Sequence, residues 1–154
     1  MRDFTLKALR LGEYGVDCKY CISETSEDGV VTENEYHVKA SRPIHSDFRM
    51  LFDGPLTQVV TAILFGGELT AQKAVPTGIN LAGKDDNIGI SITGELSTEV
   101  GRVRFRTPRV KYLAGDSVIC TELTLIVADI IRETEAYLFE GKSEELEEFN
   151  GNID

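Results

Sequence analysis

The chain has 154 residues, 42% hydrophobic and 27% charged, and its 16 basic and 26 acidic side chains give a formal net charge of −10. This composition excludes a disordered or collagen-like chain, and a chain of this length buries a core without disulfides or a structural metal. No apolar run approaches the ~20 residues of a membrane span, and the amino terminus lacks the apolar core of a secretory signal, so a cytoplasmic protein without a membrane partner is expected.

Alternating polar and apolar residues predict three strands before Pro43. Their apolar positions are Phe4, Leu6 and Ala8, then Val16, Cys18, Tyr20 and Ile22, then Tyr36, Val38 and Ala40. A helix is predicted to begin at the cap Ser46-Asp47, to break at Asp53-Gly54-Pro55 and to continue to Gly66-Gly67.

The same order of elements is predicted again after a linker from Glu68 to Pro76. The strand positions are Ile79 and Leu81, then Ile88, Ile90 and Ile92, then Val103 and Phe105, with turns at Gly83 to Asn87 and Gly94 to Glu99. Small polar residues separate the three isoleucines, so one face of the sheet is expected to be packed and the other thinly covered.

A long final helix is predicted over residues 116 to 140, capped by Asp116 and ended by Gly141. Its apolar stripe comprises Ile119, Leu123, Ile126, Val127, Ile130, Thr134, Tyr137 and Leu138. Ser143 can cap a last acidic turn, and the tail after it is expected to fray.

These elements predict an α+β fold in which two consecutive three-strand-plus-helix units form an antiparallel sheet covered by the long C-terminal helix. Residues 1–142 would be a single domain, and residues 143–154 an acidic turn and tail. Residues 1–66 and 77–140 share no matching residues, so any duplication lies in the order of elements alone. The apolar end formed by Tyr137, Leu138 and Phe139 indicates a homo-oligomer, since one subunit has little left to cover it.

A metal or catalytic site has little support in the sequence, and no cofactor is predicted. Cys18 and Cys21 lie on a strand whose alternation sends them to opposite faces, with Cys18 buried and Cys21 exposed, and His37 and His45 are expected at the surface. The sequence has no nucleophile elbow and no phosphate-binding glycine motif. Asp85-Asp86 beside Asn87 leaves open a carboxylate or metal-dependent hydrolase, although a polar hairpin turn explains the same residues.

Charge is distributed unevenly along the chain. Residues 101–115 carry five cations and no acid, whereas residues 116–154 carry eleven acids and two bases, a local charge of −9. The cations are Arg102, Arg104, Arg106, Arg109 and Lys111. Strand alternation places the first three in one row on the face opposite Val103 and Phe105.

Three interpretations of this asymmetry are open. The row can pair with acids of the same subunit, such as Glu95, Glu99 or acids of the final helix, or it can bind nucleic acid or another anionic partner through bidentate guanidinium contacts. Nucleic-acid binding at this net charge requires the row to be separated from the acidic helix. Alternatively, the acidic run acts as a decoy or inhibitor that binds a basic host protein. The candidate contacts for that role are Glu133, Glu140, Glu144, Glu145, Glu147 and Glu148.

The segments GINLAGKDDNIGISITGEL, VRFRTPRVKY and EAYLFEGKSEELEEF resemble small acidic proteins of tailed phages and integrative elements of gut bacteria. The resemblance covers about half the chain and implies a mobile-element context, in which small proteins serve DNA metabolism or subvert a host factor. The doubled order of elements is also similar in outline to sliding-clamp-like domains, but the acidic final helix argues against that role because clamps line their channel with basic helices. Together these observations predict a non-enzymatic binding protein.

Overall fold

The computed structural model describes residues 2–13, 15–65, 73–83, 87–113 and 117–142. The strands are β1 (Arg2–Leu11), β2 (Val16–Thr25), β3 (Val31–Ala40), β4 (Lys73–Ala82), β5 (Gly89–Thr98), β6 (Gly101–Arg106) and the short β7 (Val110–Lys111). The helices are α1 (Ser46–Leu51), α2 (Thr57–Phe65) and α3 (Val118–Phe139), and a π-helical turn at Phe52–Leu56 joins α1 to α2.

The fold is α+β, with an antiparallel sheet in the order β3-β2-β1-β4-β5-β6 and β7 added beside β5. The first and fourth strands meet at the centre of the sheet through three residue pairs only, of which Leu9 with Ile79 is the middle one. Each of these strands pairs along nearly its whole length with its other neighbour. Within the six-strand path, the β1–β4 pairing at the centre, called the β1–β4 seam below, is therefore the shortest.

One face of the sheet carries the core, and the helices pack on it. The predicted apolar alternation is confirmed there by the paired residues Leu9 and Cys18 on β1 and β2 and by Ile90 and Ile92 on β5, all of which are buried. The stripe of α3 joins the same cluster through Leu123, Ile126, Val127, Ile130 and Tyr137. None of the described helices packs on the opposite face, which is called the open face below.

The helix boundaries differ from the predicted ones for identifiable reasons. His45, not Ser46, caps α1, because its Nδ1 accepts the amide of Asp47 at 3.0 Å. Pro55 has no N–H to donate, and the chain accommodates it by widening into the π turn instead of breaking. Ser117 caps α3 through the amide of Cys120, while the predicted cap Asp116 lies outside the described residues. Gly141, at a φ of 70°, follows the last turn as predicted.

Three strand boundaries were also wrong in the prediction. β5 continues through Gly94 to Thr98, because the ring of Phe105 packs where a side chain at Gly94 would lie. β4 begins at Lys73, inside the predicted linker, and passes Pro76 with a register irregularity. The short strand β7, which pairs with Gly89 and Ile90 of β5, was not predicted, because two residues are too few to show an alternation.

The apolar end of α3 is partly covered within the subunit. Tyr137 is buried and lies under the guanidinium of Arg42, and Phe139 packs edge-on against Phe4 and Tyr20. Across the described ranges, no helix has the length and apolar character needed to cross a bilayer.

Candidate anion-binding groove

The arginine row lies on the open face of the sheet. Pairing of β6 with β5 sets Arg106 opposite Thr93, Arg104 opposite Glu95 and Arg102 opposite Ser97. The intervening residues Val103 and Phe105 face the core side, as the alternation predicts. The row and the acidic helix α3 are consequently on opposite faces of the sheet, which is the separation that anion binding requires.

Few acids of the subunit neutralise this row. Arg102 lies 3.5 Å from Glu95 Oε2, a long contact between exposed side chains and of little energetic value. Arg104 and Arg106 make no hydrogen bond or ion pair with any residue in the described part of the chain. Among the described residues, Arg102 is therefore the one arginine of the three that has an ion pair within the subunit, and the guanidinium groups of Arg104 and Arg106 face solvent.

A cavity of about 600 Å³ occupies the open face above the β1–β4 seam. Its floor is made of small side chains, including Ala8, Thr77 and Asn80. On one side stand Arg10, Lys19 and His37 of the first three strands, and on the other stands Arg104 of β6. Three strand spacings of ~4.8 Å separate β1 from β6, so the strands that carry Arg10 and Arg104 are ~14 Å apart.

A second cavity of about 300 Å³ adjoins the first at Asn80 and extends it along β5. Among the described residues, its lining includes Arg106 and Arg109 and no carboxylate. We call the two cavities together the groove. Counting only residues that the structure describes, five cationic side chains line the groove against the two carboxylates of Asp17 and Glu95, a local charge of +3 in a chain of −10. The cations are Arg10, Lys19, Arg104, Arg106 and Arg109.

Asp17 orders the first wall of the groove. Its Oδ1 lies 2.6 Å from His37 Nε2, and its Oδ2 accepts from Arg10 Nη2 at 3.4 Å. Partial desolvation raises the pKa of Asp17, but the His37 hydrogen bond and the charges of His37, Lys39 and Arg10 outweigh it and hold that pKa below its ordinary value. Lys19 beside them has no acid partner among the described residues, so its charge is free to meet a ligand.

Arg109 has a structural task in addition to its charge. Its guanidinium donates to the carbonyls of Ala82 and Asn87 and so ties the β4–β5 connection to β7. A Cβ at Gly83 or at Gly89 would lie within 2.6 Å of this side chain, so both glycines leave the room that it needs. Lys111 of β7 is exposed and pairs with Gly89 of β5. The neighbouring pair, Val110 with Ile90, is on the core side.

The acidic candidates are placed differently. Glu133 is only 8% exposed, and both its oxygens accept from Lys142 Nζ, at 3.0 and 3.1 Å. Lys142 also bonds Asp47 at 3.2 Å, so this cluster fastens the end of α3 to α1. Glu140 is exposed, and Glu144, Glu145, Glu147 and Glu148 lie outside the described residues. Glu133 is thus a packing residue without a free carboxylate to offer a partner.

The cysteines and histidines are not gathered into a site. Cys18 and Cys21 are both buried, which corrects the expectation of an exposed Cys21 on the thinly covered face. Desolvation, with a smaller effect of the Asp17 charge, raises the pKa of Cys18 to about 12, so that thiol is protonated at neutral pH. His37 is exposed as predicted, whereas His45 is largely buried in its cap.

The histidine, cysteine and carboxylate side chains of the described residues form no metal-binding cluster. No group of three or more of them within the described ranges could hold a metal ion. Asp85 and Asp86, the candidates for a hydrolase, lie outside those ranges, and the carbonyl of Asn87 accepts from Arg109.

Arg10, Lys19 and His37 line the groove and were missed by the sequence analysis. Each lies on an ordinary alternating strand, and only the pairing of β1 with β4 brings them to the same surface as Arg104. That pairing joins residues about seventy positions apart in the chain and leaves no local signal.

No protein-family model, curated protein or solved structure matches this chain. The groove is accordingly interpreted from its own geometry and charge.

Proposed function

We propose that this chain is a non-enzymatic binding protein whose groove holds a single-stranded nucleic acid by its phosphate backbone. The observation that carries the proposal is the local charge of +3 on the open face, with Arg104 and Arg106 unpaired among the described residues. Guanidinium groups bind phosphate oxygens in bidentate fashion, and unpaired ones do so without first breaking an internal ion pair.

The groove's dimensions and lining favour a single strand over a duplex. The strands that carry Arg10 and Arg104 are ~14 Å apart, and the floor of small side chains between them suits one extended strand better than a duplex with its two backbones. Among the described residues that line the groove, the aromatic rings are those of His37 and of Phe105, which is on the core-side register of β6. Binding should therefore depend on charge and show little preference for base sequence, because base stacking is nearly absent.

We infer further that the groove marks the junction of two three-strand-plus-helix units. The support is the strand order, in which the first strand of each predicted unit lies at the centre and the third at an edge. A role as an accessory protein in the DNA metabolism of a phage or mobile element agrees with such a groove and with the resemblance noted in the sequence.

Fluorescence anisotropy of a labelled oligothymidylate, titrated over a range of salt concentrations, tests this function. We expect salt-sensitive binding that Arg104→Ala/Arg106→Ala weakens ~10-fold or more, with the slope of log K against log salt reduced by about 1.4 for the two lost phosphate contacts. The matched control is Arg49→Ala/Arg132→Ala, which removes the same charge from the helical side of the molecule. The control should bind like the wild type.

Two results would overturn the proposal. One is an equal loss of affinity in both double variants, which would show that only net charge matters. The other is the absence of binding to single strands, duplexes and polyphosphate alike. If the wild type instead bound a polylysine probe, the acidic decoy would become the better account.

A further inference from the structure

In the part of the chain that the structure describes, β3 and β6 are the edge strands of the sheet and no further strand pairs with their outer sides. β3 pairs with β2 through ten consecutive residue pairs, contains no proline or bulge, and has nothing described beyond it. Its residues 31–37 are all exposed. β6 forms the other edge, where Val103 is 54% exposed. An edge of this kind presents free N–H and C=O groups to any strand that can pair with it.

The open-face charges of the two edges are complementary. β3 carries Glu33 and Glu35 on that face, opposite Ser23 and Cys21 of β2, while β6 carries the arginine row. Two β6 edges would set arginine against arginine, which disfavours their pairing. An acidic strand is the partner that suits β6, and the other edge of the same molecule is one.

The directions of the strands also fit. Neighbours in the six-strand path are all antiparallel, so β3 and β6, five steps apart, run in opposite directions. Copies placed side by side in the same orientation would then bring β6 of one against β3 of the next in antiparallel fashion. The sheet would continue across the boundary with its own alternation unchanged.

We propose that a second copy of this chain docks head to tail, β3 against β6, with Arg102 opposite Glu35 and Arg104 opposite Glu33. In this register Tyr36, 42% exposed, lies over Gly101, and open-face residues meet open-face residues throughout. The contact uses different surfaces on the two copies, so it leads to rings or filaments. It goes beyond the proposed function: Arg104 belongs to both surfaces, whereas Arg10, Lys19, Arg106 and Arg109 line the groove without taking part in the charge pairs of the contact.

The competing arrangement is a two-fold pairing of β3 with β3. Centred on Tyr36, it would bring Glu33 to Lys39 and Glu35 to His37, but it would leave the arginine row of β6 without a partner. The head-to-tail contact satisfies both edges at once, and we favour it for that reason.

Charge reversal tests the contact, with sedimentation velocity of the full chain at increasing concentration as the measurement. The wild type should associate with a dissociation constant in the ~micromolar to millimolar range, as expected for a small exposed contact. Glu33→Arg/Glu35→Arg and Arg102→Glu/Arg104→Glu should each associate at least ~10-fold more weakly. An equimolar mixture of the two variants should regain association, because each reversed edge then meets its complement.

Several results would contradict the head-to-tail contact. A wild type that is monomeric at every concentration would overturn it, as would reversed variants that associate like the wild type or a mixture that stays monomeric. If Arg102→Glu/Arg104→Glu alone kept the wild-type association, β3 would be pairing with itself. Circular dichroism checks that each variant is folded, which is expected because all four side chains are exposed.

Failure of this inference is separable from failure of the proposed function. Arg10→Ala/Lys19→Ala removes groove charge and alters neither edge strand, so it should weaken oligonucleotide binding and preserve association. Glu33→Arg/Glu35→Arg removes no cation from the groove and adds positive charge to the open face, so it should weaken association without weakening oligonucleotide binding. Loss of both properties in both variants would refute the assignment of separate surfaces.

Discussion

The two faces of the sheet are built from the same strands under opposite physical demands. On the core face, residues such as Leu9, Ile79 and Ile92 are at most 2% exposed and pack beneath the helices. On the open face, their neighbours Ala8, Asn80 and Thr93 are small and line the groove. The comparison shows that stability and binding are carried by alternate residues of one strand, so that a change at one position should leave the other property largely intact.

The largest effect should come from truncating a core-face residue. Ile92→Ala removes a fully buried side chain and is expected to lower the free energy of unfolding by ~2–5 kcal/mol. Thr93→Ala, one residue away on the open face, should cost less than ~1 kcal/mol. Urea denaturation followed by circular dichroism measures both, and similar losses in the two variants would refute the division between the faces.

An intermediate effect is expected from a change at Gly78, which pairs with Arg10 of β1 on one side and with Thr93 of β5 on the other. A Cβ at Gly78 would lie 2.9 Å from Thr93 Oγ1 and 3.0 Å from the carbonyl oxygen of Leu9. Gly78→Ala should therefore cost ~1–3 kcal/mol of the free energy of unfolding. The control is Gly54→Ala, whose Cβ would meet nothing within 4 Å and which should be neutral or slightly stabilising. If the Gly78→Ala chain were as stable as its control, Thr93 and the backbone at Leu9 would have to move aside without cost, which would contradict the tight packing around Gly78.

The smallest effect concerns the charges that order the groove wall. The folded pKa of Asp17 lies below its unfolded value of 3.8, so its ion pairs stabilise the fold fully above that value and lose their effect as pH falls through the folded pKa. Wild type should thus exceed Asp17→Asn in stability at neutral pH, by a margin that shrinks in acid. Denaturation at a series of pH values measures this margin, and a margin independent of pH would contradict the assignment.

Much of the packed face was predictable because its signals are local. The alternation of β1, β2 and β5 and the stripe of α3 located the core, and the spacing of Arg102, Arg104 and Arg106 correctly indicated a row on the other face. The prediction of Cys21 as exposed was wrong, although its face was right. Strand alternation gives the direction of a side chain but not what lies over it.

The groove could not be predicted, because it depends on contacts between distant parts of the chain. The pairing of Leu9 with Ile79 puts Arg10 and Arg104 on either side of one cavity. The cap at His45 was missed for a related reason: a histidine side chain accepting an amide is an uncommon cap, and residue preferences favour serine or aspartate. Local patterns thus specified the strands and helices, whereas the site arises from how the strands are ordered.

The most direct test of the open-face binding surface is an NMR titration of the isotopically labelled chain with unlabelled oligothymidylate. We predict that backbone amides of Ala8, Asn80, Thr93 and Arg104 shift progressively, while those along the exposed side of α3 remain unchanged. Shifts confined to α3, or none at ligand concentrations that saturate anisotropy, would contradict the account.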